Sequence, residues 1–167
     1  MTGLDKDLLG IYLNDHLAGA SGGLELARRA ARSHGRDRAA LREIADQIAA
    51  DREELRTIMI TLGVPVRRYK EAAGWVMEKV GRLKLNGRIL SRSPLSDVLE
   101  IEALRLVVEG KAAGWRLLRS IAEQHGHLDP AQLDRLIDRA ARQADVLENV
   151  RVKTAHQALT ARPSGPT

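Results

Sequence analysis

No cysteine and no phenylalanine occur in this sequence, and aromatic residues make up only 2% of its 167 residues. The absence of cysteine excludes disulfide bonds, thiolate metal ligands and cysteine nucleophiles. Hydrophobic residues still account for 44% of the chain, so the core must be built from Leu, Ile, Val and Ala. A chain of this length can bury one sizeable core. We therefore expect one aliphatic domain spanning residues 1–160.

Long apolar runs are also absent. No segment approaches the roughly 20 apolar residues that a membrane-spanning helix needs, and no hydrophobic signal segment begins the chain. The expectation is a cytoplasmic protein without a membrane partner. The net charge is +5, which is compatible with a basic protein that binds nucleic acid or an acidic protein surface.

Apolar residues recur every three or four positions in several long segments, which predicts amphipathic helices. We expect four helices at about residues 4–33, 37–62, 95–125 and 130–159. The predicted core stripe of the third helix consists of Leu95, Leu99, Leu106, Ala113, Leu117 and Ile121. The stripes of the other helices consist of Leu9, Leu13, Leu17, Ala20, Leu24 and Ala27; of Leu41, Ile44, Ile48, Leu55, Ile58 and Leu62; and of Leu133, Ile137, Ala140, Ala144 and Leu147.

The connections between these helices differ in length. Short turns at Gly35 and Gly126 predict two antiparallel helical hairpins, whereas residues 64–94 form a long crossover that contains a short extra helix. Residues 161–167 have nothing to bury and are expected to be a disordered tail. Two hairpins joined by a long crossover are typical of an all-α, ferritin-like four-helix bundle.

The third helix also carries a family resemblance. Its run VVEGKAAGWRLLRSIAEQHG combines Glu109, Trp115 and the ending from Leu118 to Gly126. In this it resembles the ferritin-like superfamily, specifically the YciF-type helical bundle proteins. The resemblance implies a ferritin-like fold and a stress-related role.

Ferritin-like proteins with a di-metal centre place a Glu on two helices and Glu-x-x-His on the other two. This chain contains no Glu-x-x-His, so the resemblance argues against a metal site, and we expect no cofactor. His16 and Glu109 remain weak metal candidates. The alternative for His16 is a partly buried side chain that is hydrogen-bonded to a neighbouring carboxylate.

Asp51 interrupts the apolar stripe of the second helix, where a buried carboxylate must be paired or neutralised. We expect it to pair with Arg116 or Arg142 on another helix; the alternative is a small helix rotation that brings it to the surface. Glu102 and Glu109 are expected to pair with Arg or Lys at the edge of the core.

Glycines four residues apart occur on the first and third helices. Each glycine inside a helix costs about 0.5–1 kcal/mol relative to alanine, so these positions need a structural reason. The hypothesis is a close helix crossing at Gly19, Gly23, Gly110 and Gly114. In the alternative, these glycines line a cavity that His16 and Glu109 enter, which would favour a metal site.

The predicted crossover is strongly basic. Residues 67–92 contain eight Arg and Lys residues against two Glu. The expected acidic-partner surface comprises Arg67, Arg68, Arg82 and Arg88, with nucleic-acid backbone or an acidic protein as the partner. The alternative is a merely solvated face.

No motif of a catalytic nucleophile or of a phosphate-binding loop is found, and no catalytic or cofactor-binding residue is assigned. The leading interpretation is a non-catalytic, structural or interaction bundle that forms a homodimer or higher homo-oligomer. The alternatives are a metal-binding oxidoreductase and a non-specific DNA-associated protein that uses the basic crossover.

Overall fold

The computed structural model describes residues 4–67, 94–123 and 126–160. These ranges contain four helices and no strand: α1 at Lys6–Ser33, α2 at Arg38–Thr61, α3 at Pro94–Ala122 and α4 at Pro130–Thr160. The predicted all-α four-helix bundle is confirmed. Most of the predicted crossover and the whole predicted tail lie outside the described residues.

Local sequence signals set the ends of these helices. The Asp5 carboxylate caps α1 by accepting hydrogen bonds from the backbone N–H groups of Asp7 and Leu8 at 3.0 and 3.1 Å. Gly63 ends α2 with a φ of 69°, a left-handed conformation that glycine adopts without strain. Asp129 caps α4 by accepting a hydrogen bond from the backbone N–H of Ala131 at 2.9 Å.

The helices pack as two hairpins joined through one shared interface. α1 packs along α2, α3 packs along α4, and α1 joins the hairpins through α3, whereas α2 and α4 touch only sparsely. Asn14 fixes the chain after α2, because its amide donates to the Pro65 carbonyl at 3.0 Å and accepts from the Arg67 backbone N–H at 2.8 Å.

The core of the bundle is aliphatic, as the composition requires. Leu13, Leu41, Ile48, Leu133 and Leu147 are completely or almost completely buried. The predicted stripes of the first, second and fourth helices face this core, with Ala20, Leu62 and Ile137 only partly buried at its edge.

The predicted core stripe of the third helix is wrong. Leu95, Leu99, Leu106 and Leu117 are exposed, Leu106 at 67%. The face that is buried instead carries Ile101, Leu104, Val108, Ala112, Trp115 and Leu118. Because α3 is apolar on two faces, its periodicity fits either stripe and cannot indicate which one faces the core.

Candidate functional site: a buried charge network beside a cavity

One polar residue interrupts the core stripe on each of three helices. Asp51 on α2 stands between Ile48 and Leu55, and its side chain is only 1% exposed. Lys111 on α3 and Gln143 on α4 occupy the corresponding positions in their stripes. The same heptad-like spacing that builds the core therefore points three polar side chains into it.

These side chains form one network. The Lys111 ammonium donates to Asp51 Oδ2 and to Gln143 Oε1, and the Arg139 guanidinium donates to Asp51 Oδ1. Gln143 Nε2 donates in turn to Gln47 Oε1 at 2.9 Å. Both oxygens of the buried carboxylate are thus satisfied by cations, and the network ties α2 to α3 and α4.

Asp51 is paired as predicted, but the predicted partners are wrong. Lys111 and Arg139 replace the expected Arg116 and Arg142, which are both exposed. For Lys111 the error follows from the rotation of α3, because the true core stripe contains Lys111 and the predicted stripe does not. Burial lowers the pKa of Lys111, and the Asp51 charge and hydrogen bond partly oppose this shift.

A cavity of about 560 Å³ lies beside this network, between α1 and α3 and reaching α2. Its walls are mainly aliphatic, and Trp115 of α3 and Tyr12 of α1 add aromatic rings. Asp51 and Lys111 form its polar inner part, while Tyr12, Asp15 and His16 contribute polar groups from α1. The cavity is partly open to solvent and combines mainly apolar walls with a small number of polar groups.

The four glycines do not share one environment. A Cβ atom at Gly23 would lie 2.5 Å from Val107 Cγ1, and one at Gly114 would lie 3.0 Å from His16 Nδ1. At Gly19 and Gly110 a Cβ would meet no atom within 4 Å, and both residues line the cavity. Among these four glycines, only Gly23 and Gly114 have the other helix close by, and the neighbour in each case is a side chain.

His16 and Glu109 are not brought together at the cavity. His16 lines it and packs on Tyr12 with ring centroids 4.4 Å apart, and no described residue hydrogen-bonds its ring. Burial lowers the pKa of His16, and the neighbouring Asp15 partly opposes this shift. Glu109 is half-exposed beside Arg105 and Arg116 and does not line the cavity.

Pairing of the acidic residues at the core edge follows the sequence prediction. The Glu102 carboxylate lies 3.3 Å from Arg151 on α4, and Glu109 pairs within α3. Among the four arginines of the predicted acidic-partner surface, Arg67 is exposed. Arg68, Arg82 and Arg88 lie outside the described residues.

A second polar cluster joins the end of α1 to the start of α3. The potential ligand atoms of His34, Asp97 and Glu100 lie within 4.8 Å of one another. Glu100 accepts hydrogen bonds from Arg29 and, at 3.1 Å, from Ser33. Because Arg29 supplies a positive charge to this carboxylate, the cluster serves as an ionic clasp between the two helices.

The fold defines the class of protein: an all-α four-helix bundle. The crystal structure of the E. coli stress protein YciF is similar to it with a TM-score of 0.72 and 16% sequence identity, covering 93% of this chain and 99% of that one. The resemblance read from the third helix is thereby confirmed at the level of fold. No protein-family model matches the chain. No curated protein sequence matches it either.

The residues at the bundle centre do not fit a di-metal centre. Such a centre needs carboxylates and imidazoles from facing helices, whereas Asp51 here already binds two cationic side chains. Glu109 is turned towards arginines on its own helix. We derive no metal chemistry from this arrangement. None of the described helices is apolar enough over a sufficient length to cross a bilayer.

Proposed function

We propose that this protein is a non-catalytic, ferritin-like bundle that acts as a structural or interaction protein in a stress-related role. The observation that carries the proposal is the double pairing of Asp51 with Lys111 and Arg139. Two cationic side chains already occupy both oxygens of this buried carboxylate, which leaves it unsuited to binding a metal ion. The stress-related part rests on the likeness to a protein described as a stress protein.

Iron oxidation tests the non-catalytic part of the proposal. Protein purified without a histidine tag should oxidise added Fe²⁺ no faster than buffer does. Wild-type turnover that is lost in His16→Ala, while the variant keeps its helical circular dichroism, would instead support the metal-binding oxidoreductase.

Self-association is the second part of the proposal, and the exposed apolar stripe of α3 supports it. Leu99 and Leu117 lie on this stripe and are each 38% exposed. If the stripe packs on a second copy of the chain, Leu99→Glu combined with Leu117→Glu should reduce the mass measured by light scattering. Ile60→Glu on α2 is the matched control and should leave the mass unchanged. A monomeric wild type would contradict self-association.

An acidic partner is a further candidate, supported by the charge of residues 67–92, which exceeds the net charge of the whole chain. The exposed Arg67 begins this segment directly after the end of α2. Electrostatic attraction to phosphate groups requires no base-specific contacts, so the expected form of such binding is non-specific association with duplex DNA.

A further inference from the structure

The side of α3 that faces away from the core carries a symmetric pattern of residues. This outer stripe consists of Leu95, Leu99, Leu106, Gly110, Leu117 and Ile121. At 3.6 residues per turn, all six lie within about a quarter of the helix circumference. Successive members are four, seven, four, seven and four residues apart. The spacing of the outer stripe is therefore the same when it is read from either end of the helix.

Gly110 forms a recess in the outer stripe. It is exposed, and a Cβ atom there would meet no atom within 4 Å. Alanine would fit at this position and would favour the helix. Leu106 protrudes one turn away and is 67% exposed. Because helical side chains lean towards the N-terminus, Leu106 points away from the recess of its own chain.

A two-fold axis at the level of residue 108 pairs the whole outer stripe with itself. In an antiparallel pair about this axis, Leu106 faces Gly110 of the second copy, and Leu99 faces Leu117 of the second copy. We propose that α3 packs on α3 of a second copy in this register, with each Leu106 in the Gly110 recess of the other chain. Such a self-complementary contact closes a dimer. The proposal rests on the self-association proposed above and adds its interface.

Charge complementarity supports a second copy as the occupant. Glu102 and Arg105 pair with residues of α4, which places them on the flank of the outer stripe nearer α4. Four charged residues lie on this flank, with side chains between 38% and 58% exposed: Glu102, Arg105, Glu109 and Arg116. A two-fold axis across an antiparallel helix pair brings this flank against its own copy.

Opposite charges then meet across the axis. Arg105 lies two residues, or about 3 Å along the helix, from the level of Glu109 of the second copy. Glu102 lies equally close to the level of Arg116 of the second copy. Glu109 also approaches its own copy, and the arginine partners offset that repulsion. A parallel pair would instead set each Leu106 against its own copy and leave both recesses empty.

Disulfide crosslinking tests the register, because the chain has no cysteine of its own. Leu99→Cys combined with Leu117→Cys should give a covalent dimer on a non-reducing gel after mild oxidation. These positions are eighteen residues, or about 27 Å, apart on one helix, so a disulfide within one chain is excluded. Each single variant is the matched control and should remain uncrosslinked, because the axis separates its two copies by the same distance.

Filling of the recess tests the Leu106 contact. Gly110→Leu should raise the dissociation constant of the dimer by about tenfold or more, equivalent to roughly 1.4 kcal/mol, while the protein keeps its helical circular dichroism. Gly35→Leu, at an exposed position outside the stripe with open space around it, should leave the dissociation constant unchanged.

The outcomes separate this interface from self-association itself. A monomeric wild type in light scattering would overturn both. A dimeric wild type would overturn the register alone in any of three cases: the double-cysteine variant fails to crosslink, a single variant crosslinks as readily as the double variant, or Gly110→Leu leaves the dissociation constant unchanged.

Discussion

Lys111 on α3 donates a hydrogen bond from its ammonium to the carboxylate of Asp51 on α2, in the interior of the bundle. Neither charge could be buried alone, because an unpaired ion in a low-dielectric interior is very unfavourable. Arg139 binds the second oxygen of the same carboxylate. Both oxygens of the Asp51 carboxylate are therefore hydrogen-bonded to cationic side chains of the protein itself.

Removal of the Asp51 carboxylate alone should destabilise the fold much more than removal of both Asp51 and Lys111. Asp51→Ala leaves Lys111 and Arg139 unpaired and should lower the free energy of unfolding by about 3–5 kcal/mol. The double change Asp51→Leu with Lys111→Met should restore most of that loss, because apolar residues can replace a buried pair. Urea unfolding of Asp51→Leu, Lys111→Met and the double variant measures the coupling. Additive effects would show that the two residues do not interact.

The glycines of α1 provide a matched pair for a stability test. Gly19→Ala should raise the free energy of unfolding by about 0.5–1 kcal/mol, because the new Cβ meets no atom within 4 Å. Gly23→Ala should lower it, because its Cβ would stand 2.5 Å from Val107 Cγ1. Val107→Ala should rescue Gly23→Ala. Equal changes in the free energy of unfolding for Gly19→Ala and Gly23→Ala would contradict the difference in space around these two glycines.

Sequence patterns predicted some features of this fold and missed others. The spacing of Leu, Ile and Ala predicted four helices and the correct faces of α1, α2 and α4. It failed on α3, where two apolar stripes compete and only packing selects the buried one. Asp51 was identifiable because it breaks a stripe, but Lys111 was missed because it belongs to the other stripe. A cavity depends on the distance between helices, which spacing within one helix does not encode.

Acid should destabilise the protein through His16. Burial lowers the pKa of this histidine below its ordinary value of 6.5, so between the two values the unfolded chain binds more protons than the folded protein. Stability therefore falls as the pH decreases below about 6.5. The ring packs on Tyr12, lies against Gly114 of α3, and is influenced by the charge of Asp15.

The variant His16→Gln isolates this contribution. Its melting temperature should decline less steeply than that of the wild type as the pH falls from neutrality. Parallel declines in the two proteins would show that His16 does not cause the loss.

Binding to duplex DNA should be weak and should decrease steeply with salt, because cationic side chains release counterions from phosphate groups. Replacement of Arg67, Arg68, Arg82 and Arg88 by Gln should flatten the dependence of affinity on salt concentration. The control replaces the same number of exposed arginines elsewhere, namely Arg36, Arg38, Arg42 and Arg142. No wild-type binding at low salt would indicate a solvated face, and an equal loss in both variants would indicate a net-charge effect.

Metal stoichiometry tests most directly whether protein cations replace a metal at the bundle centre. Tag-free protein would be incubated with Fe²⁺, Mn²⁺ and Zn²⁺ in turn, desalted, and analysed for metal per chain by mass spectrometry, beside His16→Ala and Asp51→Asn. The account predicts content far below one ion per chain for all three proteins. One or more ions per wild-type chain, lost in both variants, would contradict it.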